Sequence, residues 1–307
     1  MTDFAFTRRQ FLLLAFLTLA WGVNWPVMKV GVTGFPPLFF RTVSMWLGLP
    51  VLAAVLAIQR VPFQISRDAW RELVRLSITN MIVWHILAIL AVQALSSGRA
   101  AILGYTMPIF SALWGVAVFG ERLRPRHVAG VVAAGLGVAL LLWHEVASIA
   151  GRPLAALGML VAAALWGLGT QQMRRTRIAA PTLAIVFWMT ALSTLVMSVA
   201  TFLFERDRWQ LPGAPTALAI AYNAVLIFGL AQPIWLVLAR NLPPIASSMS
   251  VMLIPVLGTV SGAWWLSEAL HWQDGAAIAL VLVAIASVMW STRSRRAPAE
   301  AAEVGNL

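Results

Sequence analysis

Residues Ala100 to Leu123 read AAILGYTMPIFSALWGVAVFGERL, and Ser247 to Leu270 read SSMSVMLIPVLGTVSGAWWLSEAL. Laid side by side without a gap, Pro108 falls on Pro255, Gly115 on Gly262, Glu121 on Glu268 and Leu123 on Leu270. The register holds as far as Trp143 and Trp290. In each copy an apolar helix carries a proline near its start and ends at Glu-x-Leu, and a second apolar helix follows. Upstream, Trp21-Gly22 answers Trp166-Gly167 and Pro36 answers Pro181, in a register shifted by one small insertion. Apolar helices share a small alphabet, but a proline, a glycine and a glutamate in one register exceed what composition supplies. The chain reads as one half written twice. The first repeat is 1–149, the second 150–292, and a polar, alanine-rich tail, 293–307, reads as disordered.

The chain has 307 residues, 61% hydrophobic and 11% charged. A soluble domain carries about 25% charged residues, so this chain cannot cover its apolar surface in water and belongs in a bilayer. Cysteine is absent, which excludes disulfides and thiolate metal sites. The net charge of +11 does not point to nucleic acid. Its arginines stand in short clusters between apolar runs, where membrane orientation needs them. Arg8 and Arg9 resemble a twin-arginine export signal. The apolar run behind them is too long for one and lacks a small-residue cleavage site, so they read as the flank of a first span.

A membrane-spanning helix needs about 20 mostly apolar residues. Ten segments qualify: Phe11–Val30, Pro37–Ile58, Leu73–Ala94, Ala101–Phe119, His127–Trp143, Leu154–Gln172, Pro181–Phe204, Thr216–Leu238, Ile245–Leu266 and Gly275–Trp290. They are called spans 1 to 10. With the N-terminus in the cytoplasm, the inner side holds Arg8, Arg9, Arg60, Arg67, Arg71, Arg75, Arg122, Arg124, Arg126, Arg174, Arg175, Arg177, Arg240 and the tail arginines. The outer side holds only Lys29, Arg99, Arg152, Arg206 and Arg208. That bias puts both termini in the cytoplasm. Each half has five spans, an odd number, so the second half enters the membrane inverted. Inverted repeats set a binding site near the midplane between the halves and give two exchangeable open states. The expected fold is an all-α integral membrane protein of ten helices in two inverted five-helix repeats, and the expected class is a transporter of a small-molecule substrate.

All 11 acidic residues sit at span ends, in loops or in the tail. No carboxylate is placed for intramembrane ion coupling. Paired acids, a metal-ligand cluster and a cysteine nucleophile are all missing, so neither an enzyme, a metal site nor a cofactor is expected. Candidate cavity residues come from helix faces. Trp21, Asn24, Trp25 and Met28 share one face of span 1. The matching face of span 6 holds Trp166, Gly169, Thr170 and Met173. Flat aromatic walls with a few amides and hydroxyls suit an aromatic or bulky apolar solute; packing between helices would use the same residues. Asn80, Trp84, Tyr105, Trp188, Tyr222, Asn223 and Gln232 are mid-span candidates of the same kind. His85 stands well inside span 3, where it could titrate or hold a neighbouring helix. Arg41 stands in the first turns of span 2, with Val186 at the matching place in span 7. It could attract a substrate carboxylate, or snorkel to the surface. Pro108 and Pro255 each remove a backbone bond and predict kinks. Gly258 and Gly262, with Ser111 and Gly115 opposite, form close-packing small-x3-small surfaces on which gating helices could pivot. Glu121 and Glu268 read either as gate locks with an arginine or as caps of a helix N-terminus.

The Trp-Gly of spans 1 and 6, the prolines opening spans 2 and 7, Ala94-Leu95 before span 4 and the Pro-to-Glu-x-Leu unit closing spans 4 and 9 resemble the drug/metabolite transporter superfamily, in its ten-span EamA-type branch. The likeness runs from about residue 10 to 292. By overall character the chain is most similar to the YddG-type exporters of aromatic amino acids. The resemblance implies a basket in which spans 1–4 and 6–9 surround a central cavity and spans 5 and 10 lie outside. It implies a bacterial inner-membrane exporter that works as a monomer in the lipid bilayer. A broad drug or metabolite efflux carrier and a structural membrane protein without a solute path stand as alternatives.

Overall fold

The computed structural model describes residues 8–121, 125–147, 152–232, 234 and 244–289. The 293–307 tail, Leu123, Trp290 and the end of span 8 beyond Ile234 lie outside the described residues. Among the described residues the chain is helical, with no strand. Spans 1 and 2 are α1 (Arg8–Val32) and α2 (Pro37–Ile58). Span 3 is α3 (Trp70–Ser77), a π-helical turn over Ile78–Ile82, and α4 (Val83–Ala94). Span 4 is α5 (Ser97–Gly104) and α6 (Met107–Ala117). Spans 5 to 7 are α7 (Pro125–Ala147), α8 (Pro153–Arg174) and α9 (Thr182–Glu205). Span 8 is α10 (Ala214–Tyr222) continued by a π-helical segment, Asn223–Ala231. Spans 9 and 10 are α11 (Pro244–Leu266) and α12 (Trp272–Met289). Seven of these are long and apolar enough to cross a bilayer, and Val128–Leu141, Leu253–Leu266 and Trp272–Ser287 are shorter apolar helices. Trp143, Trp264, Trp272 and Leu154 stand exposed on the outside, as lipid-facing residues do.

The duplication shows in the packing. α1 lies along α11, and its repeat partner α8 lies along α5 and α6. α7 packs on α12, each the last helix of its half. The Trp-Gly motif explains the first two pairings. A methyl group added at Gly22 would stand 2.6 Å from Leu257 Cβ. One added at Gly167 would stand 2.6 Å from the Ser111 amide nitrogen and 2.9 Å from the Met107 carbonyl. At both places only hydrogen fits: Gly22 takes the Leu257 side chain against the α1 backbone, and at Gly167 the two helices touch backbone to backbone.

The repeat prolines behave differently. Span 4 breaks between Gly104 and Met107, just ahead of Pro108, whereas α11 runs on through Pro255. The missing N–H is common to both. The break falls after a glycine, a poor helix former, and the matching residue in span 9 is Val251. The π turns of spans 3 and 8 were not foreseen. Asn80, in the middle of the first, donates its amide to the Leu76 carbonyl at 3.1 Å, and Asn223, at the start of the second, donates to Ala219 at 3.0 Å. Each side chain occupies a carbonyl four residues back, of the kind that a wider turn sets free.

One end of the bundle, bearing the turns after spans 1, 3, 7 and 9, is tied by charges at helix ends. Lys29 Nζ donates to the carbonyls of Val92, Gln93 and Leu95 at 3.0, 2.8 and 2.7 Å, at the C-terminus of α4. Glu205 accepts the Leu38 and Phe39 N–H groups at the start of α2. Glu268 accepts both the N–H and the hydroxyl of Ser97, at 2.8 Å each, at the start of α5. Cation at a carboxyl end and anion at an amino end both follow the helix dipole. Beneath them lie Phe35, Phe40, Leu95 and Leu103, buried in the largest apolar cluster. At the other end Glu121, the repeat partner of Glu268, pairs with Arg175. Replacing Gly167 with alanine should cost about 1–3 kcal/mol of stability, the usual cost of overpacking, while Gly158→Ala in the same helix, with nothing within 4 Å, should cost nothing. Thermal unfolding in detergent measures both, and equal midpoints would refute the backbone contact.

Candidate functional site

A cavity of about 400 Å³ lies between the halves, lined by spans 1, 2, 3, 4, 6 and 8. The size is that of a small-molecule site. Among the described residues spans 5 and 10 contribute no lining residue, and neither do spans 7 and 9, which were expected to surround the cavity. From span 1 come Trp21, Asn24, Trp25 and Met28, the whole face expected from the spacing. Span 6 gives Trp166 and Thr170. The other two residues of its face turn away. Gly169 abuts the Asn80 amide, and Met173 packs with the cluster around Leu73 and Met189. Trp84 and His85 enter from span 3, Tyr105 and Pro108 from span 4, and Gln232 from span 8.

Aromatic rings make the wall. Trp84 and Trp166 meet edge to face with centroids 4.9 Å apart, joining the two halves across the cavity. Trp25 and Tyr105, both in the first half, also meet edge to face, at 6.4 Å. Gly104 makes room for this: a methyl there would lie 3.1 Å from Trp25 and 3.2 Å from Trp84.

The polar groups are few and incompletely paired. Arg41 is buried; Nη1 donates to Asn223 Oδ1 at 3.2 Å and Nη2 to the Met28 sulfur at 2.6 Å. Its guanidinium lies 5.7 Å from the centroid of Phe228, and the His85 ring meets the same phenyl edge to face at 5.4 Å. Arg41 therefore does not snorkel; it points inward. Buried atoms without a hydrogen-bond partner include Asn24 Oδ1, Arg41 Nε and both ring nitrogens of His85. All three residues line the cavity. In lipid such atoms are expensive; in a solute site they are available.

Four expected lining residues stand off the cavity. Asn80 and Asn223 serve the π turns, and Asn223 supports Arg41 from behind. The Tyr222 hydroxyl donates to the Ala20 carbonyl at 2.7 Å, tying span 8 to span 1. Trp188 donates to the Phe63 carbonyl at 2.6 Å, under the loop that follows span 2. Among the presumed pivots, Gly258 faces Ala101 and Trp25, and Gly262 faces Ser97 and Glu268. Ala88, Met107, Ser111, Ile227 and Phe228 also line the cavity and were not singled out. They are ordinary apolar-helix residues, and only Ser111, already part of a small-residue unit, carried any signal. Among the described residues no cluster of His, Asp or Glu could hold a metal.

A helical bundle with lipid-facing sides and a solute-sized cavity between two matching halves is a multi-span membrane transporter fold. Comparison with known proteins gives it a family. The EamA-like transporter family matches residues 9–143 and again 153–290, and the chain belongs to that family. Among curated relatives, the uncharacterized transporter YoaV of Bacillus subtilis (strain 168) is 26% identical over 262 residues, covering 84% of this chain and 87% of YoaV. A probable amino-acid metabolite efflux pump of Escherichia coli (strain K12) is 23% identical over 304 residues, 95% of this chain and 98% of the pump. One solved crystal structure superposes with a TM-score of 0.67 at 21% identity, covering 91% of this chain and 97% of that one, and agrees in fold. The chain is a metabolite transporter and not an enzyme. In this cysteine-free chain, a single cysteine at Thr170 should react with a polar thiol reagent, and one at Phe40, buried off the cavity, should not. Equal, slow labelling at both would mean that water does not reach the cavity.

Proposed function

We propose that this chain exports small amphipathic metabolites, aromatic amino acids and related compounds first among them, across a bacterial inner membrane with both termini in the cytoplasm. The halves 1–149 and 150–292 alternate around the central cavity, and one copy suffices. The observation that carries this reading is the cavity wall: four tryptophans and a tyrosine around a few under-bonded polar groups. Such a wall offers a flat solute dispersion and edge-to-face contacts, and the polar atoms fix its orientation. The amino-acid metabolite efflux named for the Escherichia coli relative points the same way.

Inverted halves that exchange two similar conformations open a shared site to each side in turn, and the cavity between the halves suits that use. Lys29 and Glu268 tie one end of the bundle, and Glu121 pairs with Arg175 at the other; opening either end would break its ties.

Counterflow in proteoliposomes, with no ion gradient, tests the proposal. With one aromatic amino acid loaded inside, labelled amino acid outside should accumulate saturably. No accumulation by folded protein would remove aromatic amino acids as substrates. Pro108→Ala restores an N–H just past the break in span 4 and should stiffen it. Turnover should fall several-fold with the half-saturating concentration nearly unchanged; unaltered turnover would exclude that break as a moving part.

A further inference from the structure

Arg41 is 4% exposed and carries a full charge into the bundle. Among the described residues no carboxylate answers it. The acids that make salt bridges serve Arg99, Arg175, Arg206 and His271, and Glu205 and Glu268 cap helix starts. A buried cation without a counter-charge is costly. Its place is nevertheless enforced. Asn223 spends its amide N–H on the Ala219 carbonyl, which turns its oxygen to Arg41 Nη1. Phe228, in the same π-helical segment, flanks the guanidinium. The second half has Val186 at the matching place, so the repeat architecture does not require an arginine there.

A guanidinium binds a carboxylate best through a pair of parallel N–H bonds. Nη1 is committed to Asn223. The remaining side-on edge is formed by Nε and Nη2. Nε has no partner, and Nη2 meets only the Met28 thioether, a weak acceptor on a flexible side chain. Met28 and Arg41 both line the cavity. We propose that the Nε–Nη2 edge of Arg41 anchors the carboxylate of the transported solute, which displaces the Met28 sulfur. The proposal rests on the transport reading and narrows it: substrates are carboxylates with a flat apolar body, and amines of the same body are refused.

Three indole compounds with one ring system test this: L-tryptophan, 3-indolepropionate and tryptamine. The readout is the shift in unfolding midpoint of the full chain in detergent, alongside counterflow. Tryptophan and indolepropionate should stabilise the protein and tryptamine should not. Arg41→Gln should abolish that difference and weaken indolepropionate binding about tenfold to a hundredfold, as loss of a charged hydrogen-bonded contact does. Arg41→Lys keeps the charge without the fork and should fall between. Because Arg41→Gln also strips Asn223 of its partner, the wild-type series carries the same test without a substitution. Stabilisation by tryptamine equal to that by indolepropionate, no stabilisation by any of the three, or a carboxylate preference that survives in Arg41→Gln would each overturn the assignment. Carboxylate-selective binding without counterflow would leave Arg41 in its role and defeat the transport reading. Counterflow without carboxylate selectivity would do the reverse.

Discussion

Hydrocarbon gives a polar group no water to bond, so every such group inside the bilayer must be answered by the protein itself. Much of this structure follows from that rule. Hydroxyls in mid-helix turn back on their own backbone: Thr18, Thr42, Ser44, Ser77, Thr190, Ser193 and Thr194 each donate to the carbonyl four residues earlier. Charges go to helix ends, where the backbone supplies unpaired groups of opposite sign. Where two helices must meet without side-chain glue, glycine brings the backbones together. The rule relaxes around Asn24, Arg41 and His85, and these three line the cavity between the halves. Much of the unmet polar demand thus lies at the cavity.

The repeat made much of the fold legible. Pro108, Gly115 and Glu121 in register with Pro255, Gly262 and Glu268 disclose two similar halves, and an odd number of spans in each half implies inversion. The face of span 1 was also legible, because Trp21, Asn24, Trp25 and Met28 follow helical spacing and all four line the cavity. Less was visible where the helix departs from that spacing. The π segments shift the face of spans 3 and 8, so Asn80 and Asn223, which a regular helix would place among cavity residues, turn to their own backbone. Trp188 was misplaced for another reason: the loop around Phe63 folds beneath span 7 and takes its indole N–H. Nothing local to Trp188 announces a partner so distant in sequence.

Glu205 had a signal that went unused. An acid in the last turn of a helix opposes that helix's own dipole, which calls for a partner elsewhere. The partner is the amino end of α2, the helix that carries Arg41 one turn further in. The resemblance to EamA-type transporters located the cavity between the halves. It did not supply the inventory of bonds within the cavity, which comes only from coordinates.

A duplicated scaffold holding a single arginine has a consequence for reversibility. Exchanging the halves returns the backbone to an equivalent shape, but it does not return the charge, because Val186 cannot stand in for Arg41. On the alternating-access proposal, the two open states would be chemically distinct chambers. A solute held by Arg41 would then have a different energy in each, and different dissociation constants at the two membrane faces. Detailed balance would require the loaded and empty carriers to differ by the same amount in their preference between the two states. Such a carrier can be tight on one face and loose on the other, yet it drives no net flux without a gradient.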